Sequence, residues 1–131
     1  MPTRTAACSC GQLSLTAEGD PVRISMCHCL ACQRRTGSVF GAQARFARDR
    51  VVTSGRAKEY VRVGDSGGRI TFSFCPECGA TVFYRIDDLP EVIAVPVGAF
   101  ADPTFPEPRV SVYEARRHAW VVVPAEAEHL D

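Results

Sequence analysis

The chain has 131 residues, and its fifteen basic and fifteen acidic side chains cancel to a formal charge of zero. It therefore lacks the basic excess of a general nucleic-acid binder. Hydrophobic residues at 46% and charged residues at 23% are the proportions of an ordinary globular chain, and the length fits a single domain over residues 1–131. No apolar run approaches a membrane span, and "MPTRTAACSC" holds no signal-peptide core, so a cytoplasmic location and no membrane partner are expected.

In chain order the pattern is one of short β-like runs separated by turn residues. "QLSLTAEG" alternates from Gln12 and breaks at Gly19-Asp20-Pro21. A short helical turn is expected over Leu30 to Thr36, followed by strands at "SVFGAQARF" (Ser38 to Phe46), "VVTSG" and "KEYVRV", the last closing on the turn "GDSGG" at 64–68. "RITFSF" runs into Cys75, "ATVFYRI" leaves just after Cys78, and "EVIAVPVGAF", "RVSVYE" and "HAWVVV" complete the series. Pro96 inside the first of these implies an edge or a bulge. Parallel βαβ units need helices of ten or more residues between strands, and none is present. The expectation is a mainly β domain of antiparallel sheets with few helical residues.

Seven cysteines occur, an odd number at tight spacing in a chain expected in a reducing compartment, which favours metal over disulfides. "CSCG" is Cys8-x-Cys10 followed by Gly11, and "CPECG" is Cys75-x-x-Cys78 followed by Gly79. A glycine after each pair allows positive φ, which turns backbone amides toward the sulfurs. Four thiolates of this kind form the closed tetrahedral set of a structural zinc. "MCHCLACQRR" supplies the remaining Cys27, Cys29 and Cys32. Cys27 and Cys29 share a face of an extended chain, and Cys32 returns to them if the chain turns after Leu30. Three protein ligands with one open position is the pattern of a catalytic zinc, giving two zinc ions per chain. Arg34 and Arg35 follow the trio and can offset its negative charge or hold an anionic ligand. Two alternatives stay open at this point. Cys27 and Cys32 could join Cys75 and Cys78, or a histidine (His28, His118 or His129) could close the trio.

The spacing of "CSCG", "CHCLACQRRTG" and "FCPECGATVFYR", followed by a glycine-containing strand, resembles the glutathione-dependent formaldehyde-activating enzyme family, which includes centromere protein V. The resemblance covers a core of about residues 8–124. It implies a β-tent fold of antiparallel sheets with zinc-binding loops. It also implies that Cys8, Cys10, Cys75 and Cys78 hold a structural zinc and that Cys27, Cys29 and Cys32 hold a catalytic one. The founding activity is condensation of formaldehyde with glutathione, or the reverse, a carbon–sulfur lyase reaction. The family's usual C-terminal pattern ends in Pro-Pro-Trp; here "VSVYEARRHAWVVV" keeps Trp120 without the prolines, which alters the substrate-facing wall.

The resulting expectation is a zinc-dependent carbon–sulfur lyase acting on an aldehyde adduct of glutathione or another small thiol. The substrate thiolate would complete the coordination at Cys27, Cys29 and Cys32. Arg34 and Arg35, with Arg69 as a further candidate, would meet the carboxylates of glutathione. Asp65, Asp87, Asp88 and Glu77 fall in turn-like stretches and read as solvated surface, so no separate general base is assigned. The alternative is a non-catalytic two-zinc binding module or a thiol or zinc sensor.

Overall fold

A computed structural model of the chain describes residues 2–64 and 66–130; Asp65 lies outside the described residues. The strands are β1 (Thr3–Ala7), β2 (Ser14–Glu18), β3 (Arg23–Cys27), β4 (Gly41–Ala47), β5 (Val51–Ser54), β6 (Lys58–Val63), β7 (Arg69–Phe74), β8 (Thr81–Ile86), β9 (Val92–Pro96), β10 (Val110–Val112) and β11 (Glu128–Leu130). The helix α1 spans Leu30–Thr36, as the sequence predicts. Three strands form a small sheet in the order β1-β2-β5, and eight form a larger one in the order β11-β10-β3-β4-β9-β8-β7-β6.

Alternation along the strands decides which residues meet. On β2, Leu15 and Ala17 point inward, and on β4 Ala44 and Phe46 do the same. With Leu13, Val82, Ile93 and Val95 they make the main core between the two sheets, where Phe46, Leu15, Val82 and Val95 have no exposed surface. The opposite face of the large sheet carries a row of directly paired residues, Arg23, Arg45, Ala94, Tyr84, Phe72 and Tyr60, running from β3 to β6. Phe72, Tyr84 and Ala94 form a second, smaller cluster there. The two faces of one sheet therefore do different work: one is the core, the other faces the region covered by α1.

The mainly β class stands, but the large sheet is mixed. β10 pairs in parallel with both β3 and β11. Parallel pairing needs a long return connection: β3 and β10 are separated by β4 to β9, and β10 and β11 by the segment 113–127, which holds only a short 3-10 turn at Glu114–Arg116. "HAWVVV" is a turn and not a strand: the Val121 N–H donates to the His118 carbonyl, and Trp120 and Val122 are exposed. The free edge of β10 goes instead to β11, from the polar tail. Pro96 is the last residue of β9, opposite Gln43, where its missing N–H costs the ladder little.

Gly55, just after β5, has φ of +99°, and a Cβ there would run into the backbone carbonyl of Gln12. Gly55→Ala adds backbone strain of about 1–2 kcal/mol to that clash, so it is expected to lower the melting temperature by several degrees in a thermal melt. An unchanged melt would mean that the Gln12 loop yields without cost.

Candidate metal centres

The loop after β1 brings Cys8 and Cys10, and the turn between β7 and β8 brings Cys75 and Cys78, to one place. All four sulfurs lie within 4.8 Å of one another, with Cys10 Sγ 3.6 Å from both Cys8 Sγ and Cys75 Sγ. Tetrahedral zinc with Zn–S bonds of about 2.3 Å holds its sulfurs roughly 3.8 Å apart, so this set fits zinc. Gly11 and Gly79 have φ of +83° and +81°, and the amides that these turns orient point at sulfur. The Leu13 N–H donates to Cys8 Sγ at 3.3 Å and the Glu77 N–H to Cys75 Sγ at 3.3 Å. Gln12 adds a contact that its sequence position does not announce. Its Nε2 donates to Cys75 Sγ at 3.0 Å and to the Arg56 carbonyl at 2.7 Å, while its Oε1 accepts from the Arg56 N–H. Burial opposes ionisation of Cys75, but the Gln12 amide and the Cys78 and Glu77 N–H groups outweigh it and hold this thiol below the usual range.

The second set stands at the junction of β3 and α1. Cys27 ends β3, Cys29 is the N-cap of α1, and Cys32 lies in its first turn; their sulfurs also lie within 4.8 Å of one another. The Cys29 side chain accepts from the Cys32 N–H at 3.3 Å, so one sulfur both caps the helix and faces the cluster. The two clusters keep Cys27 and Cys32 away from Cys75 and Cys78, and neither contains a histidine among the described residues. Without metal, a hydrogen bond between Cys27 and Cys32 raises the first thiol and lowers the second; Arg35 and Arg62 lower Cys32 further. The two arginines thus favour the thiolate form of Cys32, the form in which a thiol ligates a metal.

His28, between the first two of these cysteines, is fully buried, and its Nε2 is 3.0 Å from Ser111 Oγ. Burial depresses its pKa. Ser111 in turn donates to Glu114 at 2.7 Å, and Glu114 lies 2.8 Å from His129 Nδ1, so the tail residue His129 has a partner after all. Gln33 of α1 donates to the His28 carbonyl and to the Arg116 carbonyl, and its Oε1 meets His118 Nε2 at 3.0 Å. That one side chain fastens the 113–121 loop against the helix.

A cavity of about 710 Å³ opens against α1, lined by Leu30, Ala31, Arg34 and Arg35 of the helix, by Tyr60, Arg62 and Phe72 of β6 and β7, and by Gly79 and Thr81 at the four-cysteine turn; its wall takes in the stretch between Cys29 and Cys32 but none of the three sulfurs. Arg34 is exposed, whereas Arg35 lies over the rings of Phe72 and Tyr84 at 5.1 and 5.4 Å. Arg69 pairs with Asp87 at 3.9 Å and is not among the residues lining the cavity. Arg62 was not legible from its own neighbourhood in sequence; only the register that sets β6 beside β7 places it near Phe72, 5.1 Å from the ring centre.

The sequence profile of the family described as glutathione-dependent formaldehyde-activating enzyme matches residues 3–116. The chain belongs to that family. A crystal structure of a Rhodobacter sphaeroides protein is similar in fold, with a TM-score of 0.59 at 20% identity, covering 78% of this chain and 91% of that one. Among curated proteins, none matches the chain. The family match and both cysteine clusters agree on metal binding, and the donor set is consistent with zinc.

Protein purified without chelator and then exposed to zinc is expected to hold two zinc equivalents per chain. A metal assay that saturates at one after zinc is added back would show that one cluster does not function as a site.

Proposed function

We propose that the protein is a zinc-dependent carbon–sulfur lyase acting on the aldehyde adduct of glutathione or another small thiol. The observation that carries this reading is the incomplete ligand set: three sulfurs gathered within 4.8 Å at the start of a helix whose Leu30, Ala31, Arg34 and Arg35 line a cavity, with the nearest histidine turned to Ser111. Zinc, when bound there, supplies a Lewis acid that keeps an incoming thiol deprotonated.

In the lyase direction the C–S bond of a hydroxyalkyl thioether breaks. Sulfur keeps the electron pair, the hydroxyl proton leaves to solvent, and the carbonyl of the aldehyde forms; addition is the reverse. Cys27, Cys29 and Cys32 would place the sulfur, and the guanidinium groups of α1 would favour its anionic form. Arg34 and Arg35 both line the cavity and remain the candidate glutathione contacts on the helix. Cys8, Cys10, Cys75 and Cys78 would take the structural role, because they join loops 65 positions apart in sequence.

This division of roles has a direct consequence for folding. Metal binding at a closed site contributes to the stability of the folded state. Cys75→Ala is expected to unfold the domain or lower its melting temperature sharply. Cys29→Ala is expected to stay folded and to lose one zinc. Equal unfolding of both variants in circular dichroism would contradict the assignment.

For the reaction centre, the test is calorimetric titration of zinc-loaded protein with glutathione and with its S-methyl derivative. Glutathione should bind with proton release, and with affinity rising with pH, while S-methylglutathione and the Cys29→Ala variant should show little binding. Equal binding of the two peptides would mean that sulfur does not reach the metal and would favour a non-catalytic two-zinc module.

A further inference from the structure

Arg23, Arg45 and Arg62 on the large sheet, and Arg35 on the helix that covers it, each have a buried Nε with no hydrogen-bond partner among the described residues. Arg23 and Arg45 are direct cross-strand neighbours, like charges that repel without a counter-ion. Arg35 and Arg62 approach the same ring, each with its guanidinium carbon 5.1 Å from the centre of Phe72. The ring face compensates part of the cost of burying a guanidinium. One arginine suffices for such a stack, and a second adds repulsion.

Five of the fifteen aspartate and glutamate side chains are in ion pairs elsewhere. Ion pairs among the described residues join Arg4 to Asp20, Arg56 to Glu77, Arg69 to Asp87, Arg85 to Glu59 and His129 to Glu114. None involves Arg35 or Arg62, and among the described residues no aspartate or glutamate lines the cavity. Arg35 also reaches the metal site. Its Nη2 lies 3.3 Å, and Cys32 Cβ 3.4 Å, from the point where a Cβ on Gly41 would stand. The cavity therefore offers donors for an anion a short distance from the sulfurs and offers no carboxylate to an ammonium group. Its volume of about 710 Å³ suits a small ligand, and Leu30, Phe72 and Phe74 give it apolar walls.

We infer that Arg35 and Arg62 together form the specificity site for the substrate's negative charge, and that the substrate is a small mercapto acid without a free ammonium group. Glutathione, which carries an α-ammonium beside its carboxylates, is on this account a poorer fit than a thiol of purely negative charge. The inference rests on the proposed binding of a substrate sulfur at the three-cysteine metal, and it adds the charge that substrate must carry. Arg62, on an exposed strand, and not Arg34, is the partner of Arg35.

The experiment is a set of calorimetric titrations of the zinc-loaded protein at low salt with three thiols that share a two-carbon spacer and differ in the end group: 3-mercaptopropionate, 2-mercaptoethanol and cysteamine. Glutathione and N-acetylglutathione form a second pair that differs only in the ammonium. Charge-assisted hydrogen bonds to two guanidiniums should make 3-mercaptopropionate bind about tenfold tighter than 2-mercaptoethanol, with cysteamine weakest and N-acetylglutathione tighter than glutathione. Added salt should narrow these gaps. Arg62→Gln should remove most of the preference for 3-mercaptopropionate while 2-mercaptoethanol binds as before, which also shows that the variant is folded. If 2-mercaptoethanol binds but the three small thiols are equal, or glutathione exceeds its N-acetyl derivative, the charge assignment is wrong and the thiol reading survives. If no thiol binds, 2-mercaptoethanol included, both fall.

Discussion

Four sulfurs drawn from two distant loops into a cluster 3.6 Å apart at its closest contacts set the condition on which the architecture rests. Cys8 and Cys75 are buried there, and thiols at this spacing cannot ionise together without a cation between them. The cluster joins the small sheet, through the loop after β1, to the β7–β8 turn of the large one. Gln12 reinforces the same junction, tying Cys75 to the backbone of Arg56 just beyond β5. The main core lies beneath this junction, so packing and metal ligation act on the same pair of sheets.

The three-cysteine cluster is positioned by a different device. Cys27 is fixed by strand pairing against Gly41, Cys29 by its role as helix cap, and Cys32 by the helix itself. Each sulfur therefore inherits its place from backbone hydrogen bonds and needs no large hydrophobic surround. The seven-residue helix is too short to be stable alone. Gln33 holds it to the carbonyls of His28 and Arg116, and the buried His28–Ser111–Glu114 chain anchors the loop on its far side. Glu114 is held below the usual carboxylate range chiefly by the Ser111 hydroxyl, then by His129, which keeps this anchor charged at neutral pH.

Family membership and fold agree, but the C-terminal segment departs from the strand that its sequence suggests. Trp120 is 71% exposed and stands edge-on to His118, which Gln33 holds. The turn that replaces the expected strand leaves that aromatic ring at the surface and not in the sheet. On the other side of the site, the ring of Phe72 carries two guanidiniums. Charge, more than shape, distinguishes this cavity.

By itself the sequence determined the β class, the single short α-helix and the local cysteine motifs, because each of these depends on spacing within a few residues; which motifs join was decided by the fold. A glycine after each ligand pair predicts the turns at Gly11 and Gly79, and the trio predicts a chain reversal where α1 begins. What only the tertiary structure decided depends on register between distant strands. Arg62 sits in "KEYVRV" with nothing local to mark it, and acquires its place from the pairing of Tyr60 with Phe72 and of Phe72 with Tyr84. Gln12 and Gln33 read as ordinary polar residues until folding brings Cys75 and Arg116 to them. "RVSVYE" marks β10, but its parallel pairing and the strand β11 escaped for the same reason: a three-residue strand in a polar tail has too little periodicity to be seen, and the free edge that they fill exists only once β3 and β4 have paired.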